Sequence, residues 1–309
     1  MKIPNRDEIR SIRQQMKALQ DPLAARRYLQ HTLQVDHFMH QRRVERVGAL
    51  PLHLEIHPAE DPAAPVVIFL PGIGTYAEMY SEFFYHLNHQ GFTVVGLDLR
   101  GHGYSGGERG RYTVNEVAAD IDEVIRHLQS RFSGPVVLLG SSIGAPLAVA
   151  AAERNPAIRA VLCHTLFLTE VPPDLFHFWG WTWLATLSCF WPDFRVDFRA
   201  FVDVDALLRH SPFRHFVDYD DLLVWDYPLS TLASVYTHRS RVMWRDCDFK
   251  ALILIGQQDE VLSPGYQRWL TQAARHPFEL QVIPGRHMLP LDEAHVMAGA
   301  AADWYRRVL

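Results

Sequence analysis

The sequence predicts an α/β protein with a mostly parallel sheet, helices on both faces and one helical insertion. Three observations predict it. From Val66 to Cys163, short apolar runs alternate with helical stretches, the rhythm of strands buried on both faces. After Cys163 that rhythm stops, through a segment with Pro172-Pro173, many aromatics and aspartate-rich turns, and it resumes at Ala251. Between them, the apolar run Val136 to Leu139 ends at Gly140-Ser141-Ser142-Ile143-Gly144 and gives way to the small-residue helical segment Ala145 to Ala152. That is strand, sharp turn, helix.

Taken in order, residues 1–43 read as a helical arm, with Asp21-Pro22 separating a helix around Glu8 to Leu19 from one around Leu23 to His40. Ile9, Ile12, Met16 and Leu19 recur at helical spacing and must cover something, either the body or a second copy in a dimer. Val44 to Val47 and Leu50 to Ile56 alternate around Gly48-Ala49 and predict an edge hairpin. Strands follow at Val66 to Leu70, Thr93 to Leu97, Val136 to Leu139 and Ala160 to Cys163, with helices near Met79 to Gln90 and Val114 to Phe132. After the insertion come a strand at Ala251 to Ile255, a helix near Tyr266 to Ala274, a strand at Phe278 to Ile283 and a closing helix from Asp292 to Val308. Residues 44–164 and 247–309 form the expected core, and 165–246 the cap insertion.

Composition excludes several classes. A 309-residue chain with 48% hydrophobic and 21% charged residues can bury a full core, and a net charge of -5 leaves no basic surplus for nucleic acid. The cysteines Cys163, Cys189 and Cys247 are odd in number and lack any CxxC, so neither a disulfide framework nor a zinc site is expected. With a polar N-terminus lacking a signal-like apolar core, the expected location is cytoplasmic.

The Gly-x-Ser-x-Gly turn makes Ser142 the candidate nucleophile, because a serine on a strained strand-to-helix turn exposes its hydroxyl above the sheet. A hydroxyl is a poor nucleophile. It needs a general base in reach and a carboxylate to orient that base, and both belong on loops at the carboxyl ends of strands. Two loops qualify: Gly256-Gln257-Gln258-Asp259 and Pro284-Gly285-Arg286-His287. Asp259 is the candidate acid, with Glu260 as the adjacent alternative and a capping role as the bland one. His287 is preferred over His164, His276 and His295 because it directly follows the last strand. Backbone donors for a developing oxyanion are expected from Ile143, after the nucleophile, and from Ile73 in the loop Leu70-Pro71-Gly72-Ile73-Gly74. This chemistry calls for no metal and no cofactor.

Together these stretches resemble the α/β-hydrolase superfamily, in the branch of monoglyceride lipases, lysophospholipases and serine aminopeptidase-like hydrolases. Asp98-Leu99-Arg100-Gly101-His102-Gly103-Tyr104-Ser105-Gly106-Gly107-Glu108-Arg109-Gly110 is similar to that branch's DxRGHGxSxGxRG segment. Gly72-Ile73-Gly74 with Tyr80, and Trp225-Asp226-Tyr227-Pro228-Leu229, look like two further family segments. Pro71 and Ser141 stand where histidines are usual, and Ala145 where glycine is common. The resemblance implies an α/β-hydrolase fold with a cap that roofs the site.

In the cap, Trp179, Trp181, Trp183 and Phe190 are the candidate substrate-binding residues, on a run apolar on every side of a helix. Such a run lines a pocket, fills the cap core or meets a lipid surface, and is too short and broken to span a bilayer. Asp203, Asp205, Asp218, Asp220 and Asp221 lack regular ligand spacing and read as solvated turns. The expected activity is hydrolysis of a hydrophobic, lipid-like small-molecule ester by a serine hydrolase. An acyltransferase or thioesterase using the same acyl-enzyme, or a non-catalytic lipid receptor on the same fold, are the alternatives.

Overall fold

A computed structural model describes residues 7, 8, 10, 11, 14, 27, 30–200, 202–214, 217 and 220–309. The first expected arm helix, with Ile9, Ile12, Met16 and Leu19, lies largely outside them, as does the dimer contact it could make. The described part of the arm ends in α1 (Val35–Met39). It is anchored by the buried Leu33 and Val35 and by Phe38, whose ring meets Tyr85 edge-on at 5.3 Å.

Eight strands form one sheet: β1 (Arg43–Val47), β2 (Leu52–His57), β3 (Val66–Leu70), β4 (Thr93–Leu97), β5 (Val136–Ser141), β6 (Ile158–His164), and, beyond the insertion, β9 (Lys250–Gly256) and β10 (Phe278–Ile283). Their spatial order is β1-β2-β4-β3-β5-β6-β9-β10. Only β2 runs against its neighbours β1 and β4, and the rest pair in parallel. This is an α/β-hydrolase sheet.

The pleat divides the core in two. Val66, Ile68, Leu70, Leu138, Val161 and Ile253 face the side covered by α3 (Val114–Leu128), α4 (Gly144–Ala152) and α8 (Pro264–Ala273). Val67, Phe69, Leu139, Leu162 and Leu254 face α2 (Ser81–Asn88) and α10 (Ala294–Val308). Burial on both faces is why these strands read as unbroken apolar runs. Helix α3 begins in a capping box, with Thr113 Oγ1 accepting from the Glu116 amide and Glu116 returning to the Thr113 amide.

Between β6 and β9 the chain builds the helical cap: α5 (Leu175–Phe190), the antiparallel pair β7 (Arg195–Asp197) and β8 (Asp226–Pro228), α6 (Val204–Leu207) and α7 (Leu229–Tyr236). Two arginines tie it down. Arg109 donates to the Leu222 and Leu223 carbonyls, and Arg195 to the Arg109 carbonyl. The short α9 (Leu289–Asp292) takes up Asp292, so the closing helix starts at Ala294, two residues later than its acidic start suggests. Among the described residues, no helix is long and apolar enough to cross a membrane.

Candidate active site

Strand order reverses around β3, which lies between β4 and β5, so the loops after β3 and β5 diverge and leave a crevice at the carboxyl edge. The β5 turn sits in it. Ser142 has φ 51°, in the left-handed region that a side chain rarely occupies. Its amide donates to the His164 carbonyl at 2.9 Å, and its own carbonyl accepts from Ala145. A Cβ on Gly140 would lie 2.3 Å from the Gly144 carbonyl oxygen, and one on Gly144 would lie 2.4 Å from that of Leu70. Only glycine lets the strand double back this closely at both positions.

The structure brings the three candidate residues into one line. His287 Nε2 lies 3.2 Å from Ser142 Oγ, and its Nδ1 lies 2.9 Å from Asp259 Oδ2. The other Asp259 oxygen accepts from the Val261 and Leu262 amides at 2.9 and 2.8 Å. Burial pushes the Asp259 carboxyl up, but the His287 hydrogen bond and charge and the Leu262 amide outweigh it and leave its pKa below the usual carboxylate value. An ionised Asp259 accepts a hydrogen bond from Nδ1–H, which keeps the proton on Nδ1 and leaves the Nε2 lone pair facing Ser142. Glu260 instead accepts from the His287 amide, at 3.4 Å.

The rival histidines lie elsewhere. His276 pairs with Asp246 at 2.9 Å, and His295 packs on His86. His164 is close to the site without reaching Ser142: its Nδ1 lies 3.2 Å from Ser141 Oγ, and its ring centroid is 5.7 Å from that of His287. Burial, with the charge of His287 behind it, pushes the His164 pKa down to about 3, so the ring is neutral.

The β3 loop is held by two tyrosine hydroxyls. The Gly72 amide donates to Tyr80 Oη at 3.3 Å and the Gly74 amide to Tyr227 Oη at 2.7 Å. Between them, the Ile73 amide, like that of Ile143, has no protein acceptor among the described residues. Tyr227 in turn lies 2.8 Å from His102 Nε2, while His102 Nδ1 lies 3.0 Å from the Arg100 carbonyl. Burial pushes His102 down to about 4. A neutral ring with its proton on Nδ1 gives every bond in this line one direction: Gly74 to Tyr227, Tyr227 to His102, and His102 to Arg100. The role of Tyr227 escapes a reading of the sequence, although the Trp225 to Leu229 stretch draws attention to its neighbourhood.

A cavity of about 110 Å³ opens beside Ser142 and His287, walled by Met79, Phe198, Val202, Leu208, Leu223 and Trp225 among others. Trp179, Trp181, Trp183 and Phe190 do not line it, a correction to the sequence reading. Their helix α5 lies on another part of the cap. Trp181 stacks on Tyr236 at 5.5 Å, whereas Trp179, Trp183 and Phe190 are exposed. An all-round apolar helix carries no phase that says which side meets the pocket.

Part of the chain matches 2-(acetamidomethylene)succinate hydrolase of Mesorhizobium japonicum, with 33% identity over 128 residues, 41% of this chain and 42% of that protein. It also matches a monoglyceride lipase homolog of monkeypox virus, 32% identical over 95 residues, 29% of this chain and 34% of that protein. The chain thus spans less than half the length of either relative. Among solved structures, the Paleococcus ferrophilus monoacylglycerol lipase superposes with a TM-score of 0.65 at 22% identity, covering 78% of this chain and 95% of that one. A soluble variant of the Saccharomyces cerevisiae monoglyceride lipase gives a TM-score of 0.68 at 16% identity, covering 86% and 94%. At these identities the likeness is one of fold. The family model described as Hydrolase_4, serine aminopeptidase S33, matches residues 61–294, and the chain belongs to that family.

Proposed function

We propose that this chain is a serine hydrolase that cleaves carboxylic esters of hydrophobic acyl groups, of monoacylglycerol or lysophospholipid type, through an acyl-enzyme. The observation that carries this reading is the hydrogen-bonded line from Asp259 through His287 to Ser142 at the wall of an apolar cavity. Ser142 Oγ attacks the ester carbonyl as His287 Nε2 takes its proton. The Ile73 and Ile143 amides hold the oxyanion. His287 then protonates the departing alcohol and next draws a proton from the water that attacks the acyl-enzyme, freeing the acid and Ser142. Asp259 holds the imidazole in the required tautomer. Phe198, Trp225, Met79 and Leu223 take the place of the α5 tryptophans as acyl-contacting residues.

The exposed face of α5, with Phe176, Trp179, Trp183 and Phe190, serves as a peripheral membrane contact, since tryptophan favours the headgroup level of a bilayer. Three free cysteines suit a reducing compartment, which favours the cytoplasm. A fluorophosphonate probe with intact mass analysis, beside an ester panel of increasing acyl length, tests the catalytic reading. Labelling that Ser142→Ala abolishes, together with turnover, is the expected result. An unlabelled, inactive but folded wild type would point to a lipid-binding receptor instead, and acyl transfer without hydrolysis to a transferase.

A further inference from the structure

A second, small cavity of about 30 Å³ lies against the first. Met79, Val217 and Leu223 belong to the walls of both, so these three side chains form the partition between them. On the far side, the wall is supplied by the N-terminal arm: Leu33 and Val35, 2% and 3% exposed, close it together with Phe213. Both arm residues lie before position 61, where the match to the family model begins.

The polar groups at its edge already hold one another. Gln30 donates to Glu78, Arg42 donates to the other Glu78 oxygen at 3.2 Å, and the Tyr76 hydroxyl donates to Asp220. With these lining groups paired, most of the surface left to the space is apolar, from Leu33, Val35, Met79, Phe213, Val217 and Leu223, and it suits hydrocarbon better than a polar ligand. Of the partition residues, Met79 is unbranched and adaptable, able to change rotamer without moving backbone. Its element is the single helical turn Ala77–Tyr80 directly after the β3 loop.

We propose that the second cavity is the distal end of the acyl site, reached past Met79, and that Leu33 and Val35 of the arm are the stop that sets the longest acyl chain accepted. The inference rests on the ester-hydrolase reading of Ser142. Arm residues then determine specificity through wall position alone and touch no reacting atom.

The test is kcat/KM for a series of monoesters from acetyl to stearoyl, below their micellar concentrations and normalised to the fluorophosphonate-labelled fraction. It is run on the full chain as wild type, Leu33→Ala and Leu33→Trp. Each buried methylene is worth about fourfold in affinity, so filling or enlarging the space by two or three methylenes changes the long-to-short ratio at least tenfold. Leu33→Trp should lower that ratio and Leu33→Ala should move the optimum to a longer chain. If the bulky variant does not fold, the Leu33→Ala profile decides alone. Ratios equal to wild type in the folded variants overturn the arm as a stop while leaving the hydrolase intact. A wild type that labels with the probe yet shows a flat acyl profile also overturns it. No labelling and no turnover on any ester removes the parent reading, and this inference with it.

Discussion

At the scale of single residues, the roles follow from which proton each atom can hold. Ser142→Ala should abolish probe labelling and hydrolysis with little loss of stability, because the hydroxyl is needed for chemistry and the turn depends on Gly140 and Gly144. Ser141→Ala should keep most activity, since Ser141 Oγ faces His164 and not His287. Steady-state assays on both variants would reject the assignment if their behaviour were exchanged. Asp259→Asn should lower kcat by roughly 10⁴-fold, the cost known for a triad whose carboxylate no longer holds the imidazole tautomer. Glu260→Gln should leave kcat near wild type, because Glu260 accepts from a backbone amide. A reversal in kcat between these two substitutions would move the acid one residue along.

Among elements, the β3 loop carries the proposed oxyanion donor, and Tyr227 of β8 ties that loop to the cap. Tyr227→Phe leaves the buried Gly74 amide without its acceptor, at a cost of about 1–3 kcal/mol in stability. The same change should lower kcat more than it raises KM, since the loop would lose its fixed position for the transition state. Urea denaturation and steady-state kinetics measure the two parts, and an unaltered kcat would show that the loop is held without Tyr227. On the other side of the cap, the α5 aromatics predict binding to phosphatidylcholine vesicles. Trp179→Ser with Trp183→Ser should weaken cosedimentation at least tenfold while hydrolysis of short soluble esters stays unchanged. Equal sedimentation of variant and wild type would remove the membrane contact.

For the whole molecule, pH links the buried groups to stability. His102 has an ordinary pKa near 6.5 once unfolded and about 4 in the fold, because burial disfavours its charged form. As the pH falls below about 6.5, the unfolded chain takes up a proton that the folded chain excludes, so His102 withdraws stability down to about pH 4. The shift corresponds to about 3 kcal/mol. Asp98, Glu153 and Asp292 oppose it: burial raises each to about 7, and the stability from their protonated forms is lost as the pH rises toward that value. Comparison with a variant isolates one term. His102→Gln lacks the titration, so the stability gap between wild type and variant should shrink by about 3 kcal/mol between pH 7.5 and pH 4 in urea melts. A gap independent of pH would mean that His102 is charged, or solvated, in the fold.

The sequence by itself determined the sheet, because strands buried on both faces must be continuous apolar runs, and helical stretches separate these runs. It also marked Ser142, Asp259 and His287 as the residues to be brought together, because position at the carboxyl ends of strands restricts where such groups can stand. Tertiary structure set Asp259, and not Glu260, against His287 Nδ1, although the two differ by one step along a loop and no spacing encodes their orientation. It decided that His102 and Tyr227, far apart in the chain, share a hydrogen bond across the cap junction. Above all it decided what lines the cavity beside Ser142. Local pattern reports how apolar a helix is, whereas the choice between Trp225 in the wall and Trp183 on the surface depends on how the cap is seated on the body. The same holds for Leu33, whose burial beside Met79 arises only when the arm folds back over the β3 loop region.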